Sequence, residues 1–374
     1  MEPYIPDNLP LNSIVWERHV PLIGRANRAL ARYDGVLLGI VNPQVLLSPL
    51  ATHEAVLSSR IEGTQATLED VLVYEAEMGE RIEKDRRDLP RIDEIREVIN
   101  YRQAMKAAVE ALEHRPLNIN TICDLHRILL TGVRGERKAP GEIRRIQNYI
   151  APPGTPIERA IFVPPEPPIL MDALSNWEMY LHSDEKDPLV QLAVLKAQFE
   201  LIHPFLDGNG RIGRMLVPLI LYSKKIISSP NFYISDYLER NRDTYHDRLL
   251  AISRDGDWNG WIDFFLQAVI EQADLNSMKA RAILSLYDDM KTRIPDITGS
   301  RYSIQAIDAI FSRPIFNTRE FSRISAIPRE SATKILSELK DNDILEVLRQ
   351  GQGRRPTTYI FASLIEITQI NTMK

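Results

Sequence analysis

The chain has 374 residues, of which 44% are hydrophobic and 26% are charged, an ordinary composition for a globular protein. Its net charge of −5 predicts no general attraction to nucleic acids or anionic membranes, and no apolar run is long enough to span a bilayer. The single cysteine, Cys123, excludes an intrachain disulfide; with an N-terminus unlike a signal peptide, it predicts a cytoplasmic protein.

Residues 1 to about 110 are predicted to form a mostly helical region. Within it, Ser48-Pro49 is a typical helix start, and Gly63 is a typical residue just after a helix end, so a helix is expected at about 49–62. Glu62 then lies in the last turn, where the helix dipole disfavours a carboxylate. It is either a solvated surface residue or the partner of a cation elsewhere in the fold.

Two further segments precede the central part of the chain. Residues 77–97 (EMGERIEKDRRDLPRIDEIRE) are predicted to form a solvated helix pair that is interrupted at Pro90. Residues 134–145 carry a positive cluster that is interpreted as a solvated loop. Residues 157–163 (IERAIFV) predict an extended segment that ends in the stiff proline run 164–168.

The most informative stretch runs from His203 to Arg214 (HPFLDGNGRIGR). It follows an apolar segment, residues 188–202, whose helical spacing should end at His203 because a residue before proline is disfavoured in the α region. It leads into a second apolar helix, residues 212–222. Between the two, Asp207-Gly208-Asn209-Gly210 can turn successive N–H groups toward one point, and the second helix directs its positive end there. The pattern indicates an anion-binding turn.

The charged residues of this stretch fit a polyphosphate and a divalent cation. Arg211 and Arg214 lie at i and i+3 at a helix N-terminus, where cations are unfavourable unless a multiply charged anion is bound. Asp207 would repel bare phosphate, so its natural role is to hold a cation that bridges phosphate oxygens. His203 has a side chain that ordinarily titrates near neutrality and is the candidate general base. Each residue alone has an ordinary structural explanation; together they indicate a site.

These residues resemble the signature of Fic-domain proteins, His-x-Phe-x-(Asp/Glu)-Gly-Asn-Gly-Arg-x-x-Arg, and match it at every fixed position. Most proteins of this family transfer AMP from ATP to a hydroxyl side chain of a target protein and release pyrophosphate. The resemblance implies that His203 deprotonates the hydroxyl, that Asp207 holds Mg²⁺, and that Phe205 anchors the core. The phosphates would be bound by Gly208, Asn209, Gly210, Arg211 and Arg214.

The resemblance extends to the upstream helix. Residues 58–63 (SSRIEG) are similar to the inhibitory motif of the family, (Ser/Thr)-x-x-x-Glu-(Gly/Asn). In such proteins the glutamate pairs with the second signature arginine, here Arg214, and blocks a productive nucleotide pose. A glutamate and an arginine that each oppose a helix dipole also suggest that the two meet. Ser58 would bond nearby backbone or Glu62. The expectation is an autoinhibited enzyme.

Two other functional assignments follow from the resemblance alone. A β-hairpin flap would receive the target as an added strand, with Ile161, Phe162 and Val163 at the docking edge. The alternative is a surface loop with a rigid proline spacer. Tyr245 would contact the adenine base, although tyrosines at helical spacing are more often packing residues.

A separate domain is predicted after a linker at residues 291–300. Helices are expected at 303–311, from Thr318 to about 325 and at 329–341, and strands at 344–348 and 357–361. This order resembles a winged helix-turn-helix. Residues 301–361 carry ten basic and seven acidic residues, and Arg354 and Arg355 lie in the wing. Protein contact and DNA binding both stay open, because the recognition helix mixes charges.

The predicted fold is therefore mainly α: a helical Fic core at about 111–290 with a small β-hairpin flap, plus a C-terminal winged helix-turn-helix domain at 301–374. The predicted function is an Mg²⁺- and ATP-dependent protein adenylyltransferase, a nucleotidyltransferase restrained by Glu62. The alternatives are a Fic enzyme that uses another nucleotide or removes AMP, and a DNA-binding regulator whose Fic domain senses a nucleotide. The target protein, self-modification and homodimer formation are left open by the sequence.

Overall fold

The computed structural model describes residues 2–77, 91–152, 154–352 and 356–370, and these are mainly α-helical. The helices, in chain order, are α1 (Trp16–Leu38), α2 (Pro43–Leu46), α3 (Ser48–Ile61), α4 (Leu68–Glu77), α5 (Ile92–Leu112), α6 (Ile119–Leu130), α7 (Leu170–His182), α8 (Pro188–Ile202), α9 (Asn209–Ser223), α10 (Ser235–Arg240), α11 (Arg242–Asp255), α12 (Trp258–Thr298), α13 (Ser303–Ser312), α14 (Thr318–Ser325), α15 (Arg329–Asp341) and α16 (Ala362–Gln369). The strands are β1 (Ile315–Asn317), β2 (Glu346–Arg349) and β3 (Thr358–Ile360).

The chain divides into two compact units that alternate along the sequence. One comprises residues up to Asp34, Leu57–Gly63 and Asn100–Asp274, and the other comprises Gly35–Val56, Thr64–Ile99 and the residues from Leu275 onward. The stretch from His203 to Arg214 and the end of α3 belong to the first unit.

Helix α8 is the centre of the first unit. Its residues from Leu189 to Ile202 are all buried, and they include the polar residues Gln191, Lys196, Gln198 and Glu200. The Asp187 carboxylate caps it by accepting hydrogen bonds from two N–H groups of the first turn. Trp177 and Trp261 donate their indole N–H groups to carbonyls of α8 at 2.7 and 2.8 Å. Since α8 packs against α7, α9 and α11, its C-terminal end is held in a fixed position.

The second unit contains a small antiparallel sheet in the order β1-β3-β2. Ile315 of β1 and Ile365 of α16 form a buried cluster with Leu68, Leu72 and Ala76 of α4. Asn317 donates its side-chain N–H to the Ala76 carbonyl at 2.7 Å and caps α14 by accepting from the Glu320 N–H. The cap of this helix is therefore Asn317, and the helix begins at Thr318, where the sequence predicted its start.

The predicted linker at 291–300 is largely helical, which corrects the sequence-based expectation. Helix α12 continues to Thr298 with Pro295 inside it. Proline removes one intrahelical hydrogen bond, yet the helix continues for three residues beyond Pro295. The helix ends only at Gly299, whose φ of 51° is left-handed.

The predicted C-terminal helices and strands occur in the predicted order, but the structure adds strand β1 between the first two helices and helix α16 after the last strand. The winged-helix assignment itself stays a prediction. Along the third helix, α15, Lys334 lies 3.7 Å from Glu338, and Lys340 lies 2.9 Å from Asp341. These pairs reduce the positive charge that α15 could offer to a phosphate backbone. Arg354 and Arg355 lie outside the described residues, as do residues 78–90 of the predicted charged helix pair.

Candidate active site

His203 is the residue at which α8 ends, and its backbone is left-handed, with φ 50° and ψ 60°. Its Nδ1 lies 3.2 Å from the Glu200 carbonyl oxygen. A carbonyl can only accept, so Nδ1 carries the proton and Nε2 of the neutral ring keeps its lone pair. Burial lowers the pKa of His203, and the charge of Arg144 lowers it further, against the opposing effects of Glu62 and Glu200. The ring is thus neutral and suited to accept a proton.

The loop after His203 is held by a histidine that the sequence analysis did not single out. His126 of α6 accepts a hydrogen bond from the Gly141 N–H at Nδ1 (2.8 Å), so its Nε2 carries the proton and donates to the Asp207 carbonyl (2.9 Å). Its ring stacks on Phe205 with the centroids 3.8 Å apart. Burial lowers the pKa of His126 to about 4, so this histidine stays neutral. The sequence signal for this role was a histidine within the amphipathic helix α6, but the Asp207 carbonyl that it binds lies 81 residues away.

Asn209 and Phe205 close the same loop. The Asn209 amide accepts from the Phe205 N–H at 2.9 Å and donates to the Phe205 carbonyl at 2.8 Å. Phe205 is 1% exposed, as its predicted role of core anchor requires. Gly208 has a φ of 78°, a conformation that favours glycine, and directly precedes α9. Asn209 is therefore a brace for the loop, a role beyond the predicted phosphate contact.

Asp207 is positioned to bind a metal ion. Its side chain is 33% exposed, and its Oδ1 lies 3.4 Å from Nη2 of the buried Arg211. The backbone of Gly135 comes close to this carboxylate: a Cβ on residue 135 would lie 3.0 Å from Asp207 Oδ2, so glycine is favoured at that position. No three His, Cys, Asp or Glu side chains cluster as a metal site in the described residues. Mg²⁺ commonly takes one carboxylate and completes its shell with phosphate oxygens and water, so Asp207 fits it.

The first turn of α9 faces a carboxylate. Gly210 in this turn lies directly against the Glu62 side chain. If Gly210 carried a side chain, its Cβ would lie only 2.3 Å from Oε1 of Glu62 and 3.0 Å from Nη1 of Arg214. The Glu62 carboxylate therefore rests on the N-terminal turn of α9, where N–H groups and the helix dipole favour an anion.

Arg214 contacts both predicted regulatory residues. Its Nη2 donates to Glu62 Oε1 at 2.7 Å and to the Ser58 carbonyl at 2.8 Å, and its Nε donates to Ser58 Oγ at 2.8 Å. The predicted contact between Glu62 and Arg214 is therefore present, and Ser58 accepts hydrogen bonds from Arg214. Arg242 donates to the Ile61 carbonyl at 2.7 Å and so fixes the end of α3 from α11.

The charges of this pair stabilise each other. Burial opposes ionisation of Glu62, but Arg214, Arg211 and His203 outweigh it and hold the pKa of Glu62 below its ordinary value. Burial likewise opposes the charge of Arg214, and Glu62 together with Glu200 outweighs it, so the pKa of Arg214 is raised. Both groups are charged at neutral pH.

The structure corrects the prediction for Tyr245. Tyr245 is 2% exposed, and its ring packs against those of Trp261 and Phe264. The hydroxyl donates to Glu200 Oε2 at 2.5 Å and accepts from Lys196 Nζ at 3.0 Å. Tyr245 thus belongs to a buried network below the site, where a nucleotide base cannot reach it without repacking the core.

The predicted flap is smaller than a regular hairpin. In the described residues of this segment, one isolated bridge joins Ile150 to Phe162, with Ile150 N–H donating to the Phe162 carbonyl at 2.8 Å. Ile161 is 42% exposed, whereas Phe162 and Val163 are buried, and the Val163 carbonyl already accepts from Tyr4 N–H. Of the three predicted docking residues, Ile161 alone presents its side chain to solvent.

Arg144 lies at the base of this flap and is buried, which corrects its assignment to a solvated loop. All four hydrogen bonds of its side chain go to main-chain carbonyls, of Ile146, Pro165, Ile202 and His203.

Profiles of one family match the chain in two places. The profile of the Fic/DOC family N-terminal region matches residues 20–110, and that of the Fic/DOC family matches residues 116–221, which include all of His203 to Arg214. The chain belongs to the Fic/DOC family.

Similar curated proteins include the protein adenylyltransferases Fic of Drosophila ananassae and Drosophila melanogaster, each 30% identical over 192 residues. The match covers 49% of this chain and 34% and 35% of those proteins, so the chain spans about a third of their length.

Solved structures with a similar fold include a Fic family protein from Desulfovibrio desulfuricans, with a TM-score of 0.58, 19% identity and coverage of 96% of this chain and 98% of that one. Another is Fic-1 from C. elegans, with a TM-score of 0.52, 22% identity and coverage of 74% and 78%. In the part of the chain that the structure describes, no helix is long and apolar enough to cross a membrane.

Proposed function

We propose that this protein is an adenylyltransferase that moves AMP from ATP to a Ser, Thr or Tyr hydroxyl of a target protein or of itself. One observation carries the proposal: a neutral histidine and a partly exposed carboxylate lie on one braced loop, which leads directly into the N-terminus of a helix that carries two arginines. The family relatives named protein adenylyltransferase support the same chemistry.

The proposed reaction assigns a proton to His203. The target hydroxyl oxygen forms a bond to the α-phosphorus of ATP, and the bond from that phosphorus to the β-phosphate oxygen breaks. The hydroxyl proton passes to Nε2 of His203, and pyrophosphate leaves with the bonding electron pair. Such transfers depend mainly on positioning and charge stabilisation, which the N–H groups at Gly208–Gly210 and the arginines Arg211 and Arg214 would supply.

Asp207 would hold Mg²⁺, which neutralises phosphate charge when bound. Its carboxylate is a hard oxygen ligand and is exposed enough for the ion to keep water ligands. The His126 hydrogen bond to the Asp207 main chain keeps this residue in place.

Glu62 would restrain the enzyme. Its carboxylate lies where the resemblance would place a terminal phosphate of the nucleotide, at Arg214 and the first turn of α9. A bound polyphosphate must therefore displace this carboxylate or adopt another pose. Removal of Glu62 is expected to raise the transfer rate.

The test is incorporation of α-labelled ATP into the purified protein and into a cell lysate. We expect labelling with Glu62→Gly, loss of labelling with Glu62→Gly/His203→Ala, and retained labelling with the control Glu62→Gly/His114→Ala, because His114 is an exposed histidine far along the chain from the loop. Loss of the base should slow transfer by about 10²–10⁴-fold. γ-Labelled ATP should give no signal, since the γ-phosphate leaves in pyrophosphate.

The outcomes separate the alternatives. Label from α-labelled CTP, GTP or UTP but not from ATP would indicate another nucleotide. Loss of AMP from a pre-labelled target would indicate removal. Equal labelling of the two double variants would overturn the role of His203, and no labelling from any nucleotide would overturn the transferase proposal.

A further inference from the structure

The side chain of Arg144 joins three segments around the proposed base. Nε donates to the His203 carbonyl at 2.9 Å, and Nη2 reaches the Ile202 carbonyl at 3.5 Å, both at the end of α8. Nη1 donates to the Ile146 carbonyl at 3.2 Å, and Nη2 donates to the Pro165 carbonyl at 2.5 Å. Ile146 and Pro165 flank the bridge of the flap. One side chain thus ties the two ends of the flap to the catalytic loop.

The guanidinium is an unusual bridge because its partners are neutral. Arg144 is 3% exposed, and within the described ranges no carboxylate pairs with it. Burial lowers the pKa of Arg144 to about 10, so it stays charged at neutral pH. A buried charge with neutral partners is costly, and each of its hydrogen bonds to carbonyls is stronger than a neutral one.

His203 needs such support because its backbone is strained. A non-glycine residue with φ 50° is uncommon, and the following Pro204 restricts it further. Conformations of this kind are energetically unfavourable and persist only where neighbouring contacts impose them. Arg144 supplies two contacts there: its Nε binds the His203 carbonyl, and its main-chain N–H donates to the Pro204 carbonyl at 2.9 Å.

We propose that Arg144 is a positioning residue that holds His203 in its left-handed conformation and couples that conformation to both ends of the flap. The inference rests on the proposed transferase function. It means that the base is presented correctly only when the flap, where a target would dock, is in place. The position of the target hydroxyl and the position of Nε2 are then set by the same side chain.

Electrostatics add a second effect of the same residue. The charged groups that act on the His203 ring are Arg144, Glu62 and Glu200, and of these Arg144 alone disfavours the protonated ring. Loss of the Arg144 charge should therefore raise the pKa of His203. The acid limb of the rate profile would then move to higher pH.

The test compares Arg144→Met, Arg144→Lys and the control Arg145→Met, whose arginine is the exposed neighbour, all in the Glu62→Gly background. For Arg144→Met we expect kcat to fall by about 10²-fold, as for a base displaced by about 1 Å, with ATP affinity nearly unchanged. Arg144→Lys keeps the charge but cannot form the forked bonds, so kcat should be intermediate and the pKa of His203 should be kept.

A second readout is independent of transfer. The pKa of His203 is measured by NMR on the nucleotide-free protein with labelled histidine, using His203→Ala for assignment. A higher pKa in Arg144→Met than in Arg145→Met supports the inference even if the transferase proposal fails. Equal pKa values and equal kcat in these two variants would overturn it. If Arg144→Met does not fold, Arg144→Lys decides, and an unchanged kcat in that variant overturns the inference.

Discussion

Replacement of Glu62 by alanine should destabilise the protein and, at the same time, strengthen its response to ATP. The substitution removes the carboxylate on the first turn of α9 and leaves the Arg214 guanidinium, which is 1% exposed, without that partner. The two effects have opposite signs, so they can be separated in one experiment.

The size of the loss follows from the exposure of the two partners. Breaking a fully buried ion pair costs about 3–5 kcal/mol, whereas exposed pairs contribute about 0–1 kcal/mol. Glu62 is 34% exposed, and Ser58 keeps two hydrogen bonds to Arg214. We therefore expect a loss of about 1–2 kcal/mol, or a fall in Tm of about 1–3 °C for a chain of 374 residues.

The assay is thermal unfolding with and without Mg²⁺-ATP, with Glu110→Ala as the control. Glu110 forms an exposed pair with Lys106 at 3.8 Å, so its removal should leave Tm nearly unchanged. A nucleotide at 100 times its Kd stabilises by about 2.7 kcal/mol, and Glu62→Ala should approach this value at lower ATP than wild type. Equal Tm for Glu62→Ala and wild type, or equal ATP-induced shifts, would refute the reasoning.

Two further predictions concern proton transfer and the core. The pKa of His203 is lowered from 6.5, so the Glu62→Gly variant should still transfer AMP at pH 6.5. Its transfer rate should fall only when the pH falls through the lowered pKa. A rate profile with its acid limb above pH 6.5 would contradict this expectation. Tyr245→Phe should destabilise the protein by about 1–3 kcal/mol, because Lys196 and Glu200 lose a buried hydroxyl, while ATP affinity measured by calorimetry stays the same. A clear loss of ATP affinity would instead return Tyr245 to the binding site.

Local chemistry made part of the fold predictable. The end of the helix at 188–202 was predicted correctly because a histidine before Pro204 is a strong local signal. The contact between Glu62 and Arg214 was predicted because each opposes the dipole of its own helix, and the resemblance to Fic proteins named the pair. These inferences needed a few adjacent residues only.

The residues that support the site were not predictable in this way. His126 and Arg144 act on carbonyls 81 and 59 positions away, and a carbonyl carries no sequence signal. Tyr245 was misassigned because periodicity tells which face of a helix is apolar but not whether a hydroxyl on it meets Lys196 or a ligand. The linker was misassigned because Pro295 and Gly299 are local signals for the end of a helix, whereas the packing of the helix decides whether a proline inside it is tolerated.

The position of the Glu62 carboxylate on the first turn of α9 affects how ATP binding would depend on the concentrations of protein and nucleotide. Under the proposed function, Glu62 is tethered to the site that the nucleotide would enter, so it would act as a ligand at a fixed effective concentration, which for short tethers is in the millimolar range. Dilution of the protein would not weaken such a competitor, and added ATP would shift only the balance between two anions, the Glu62 carboxylate and the nucleotide, at the N-terminal end of α9. The apparent affinity for ATP would therefore report how firmly Ser58 and Arg242 hold the tether.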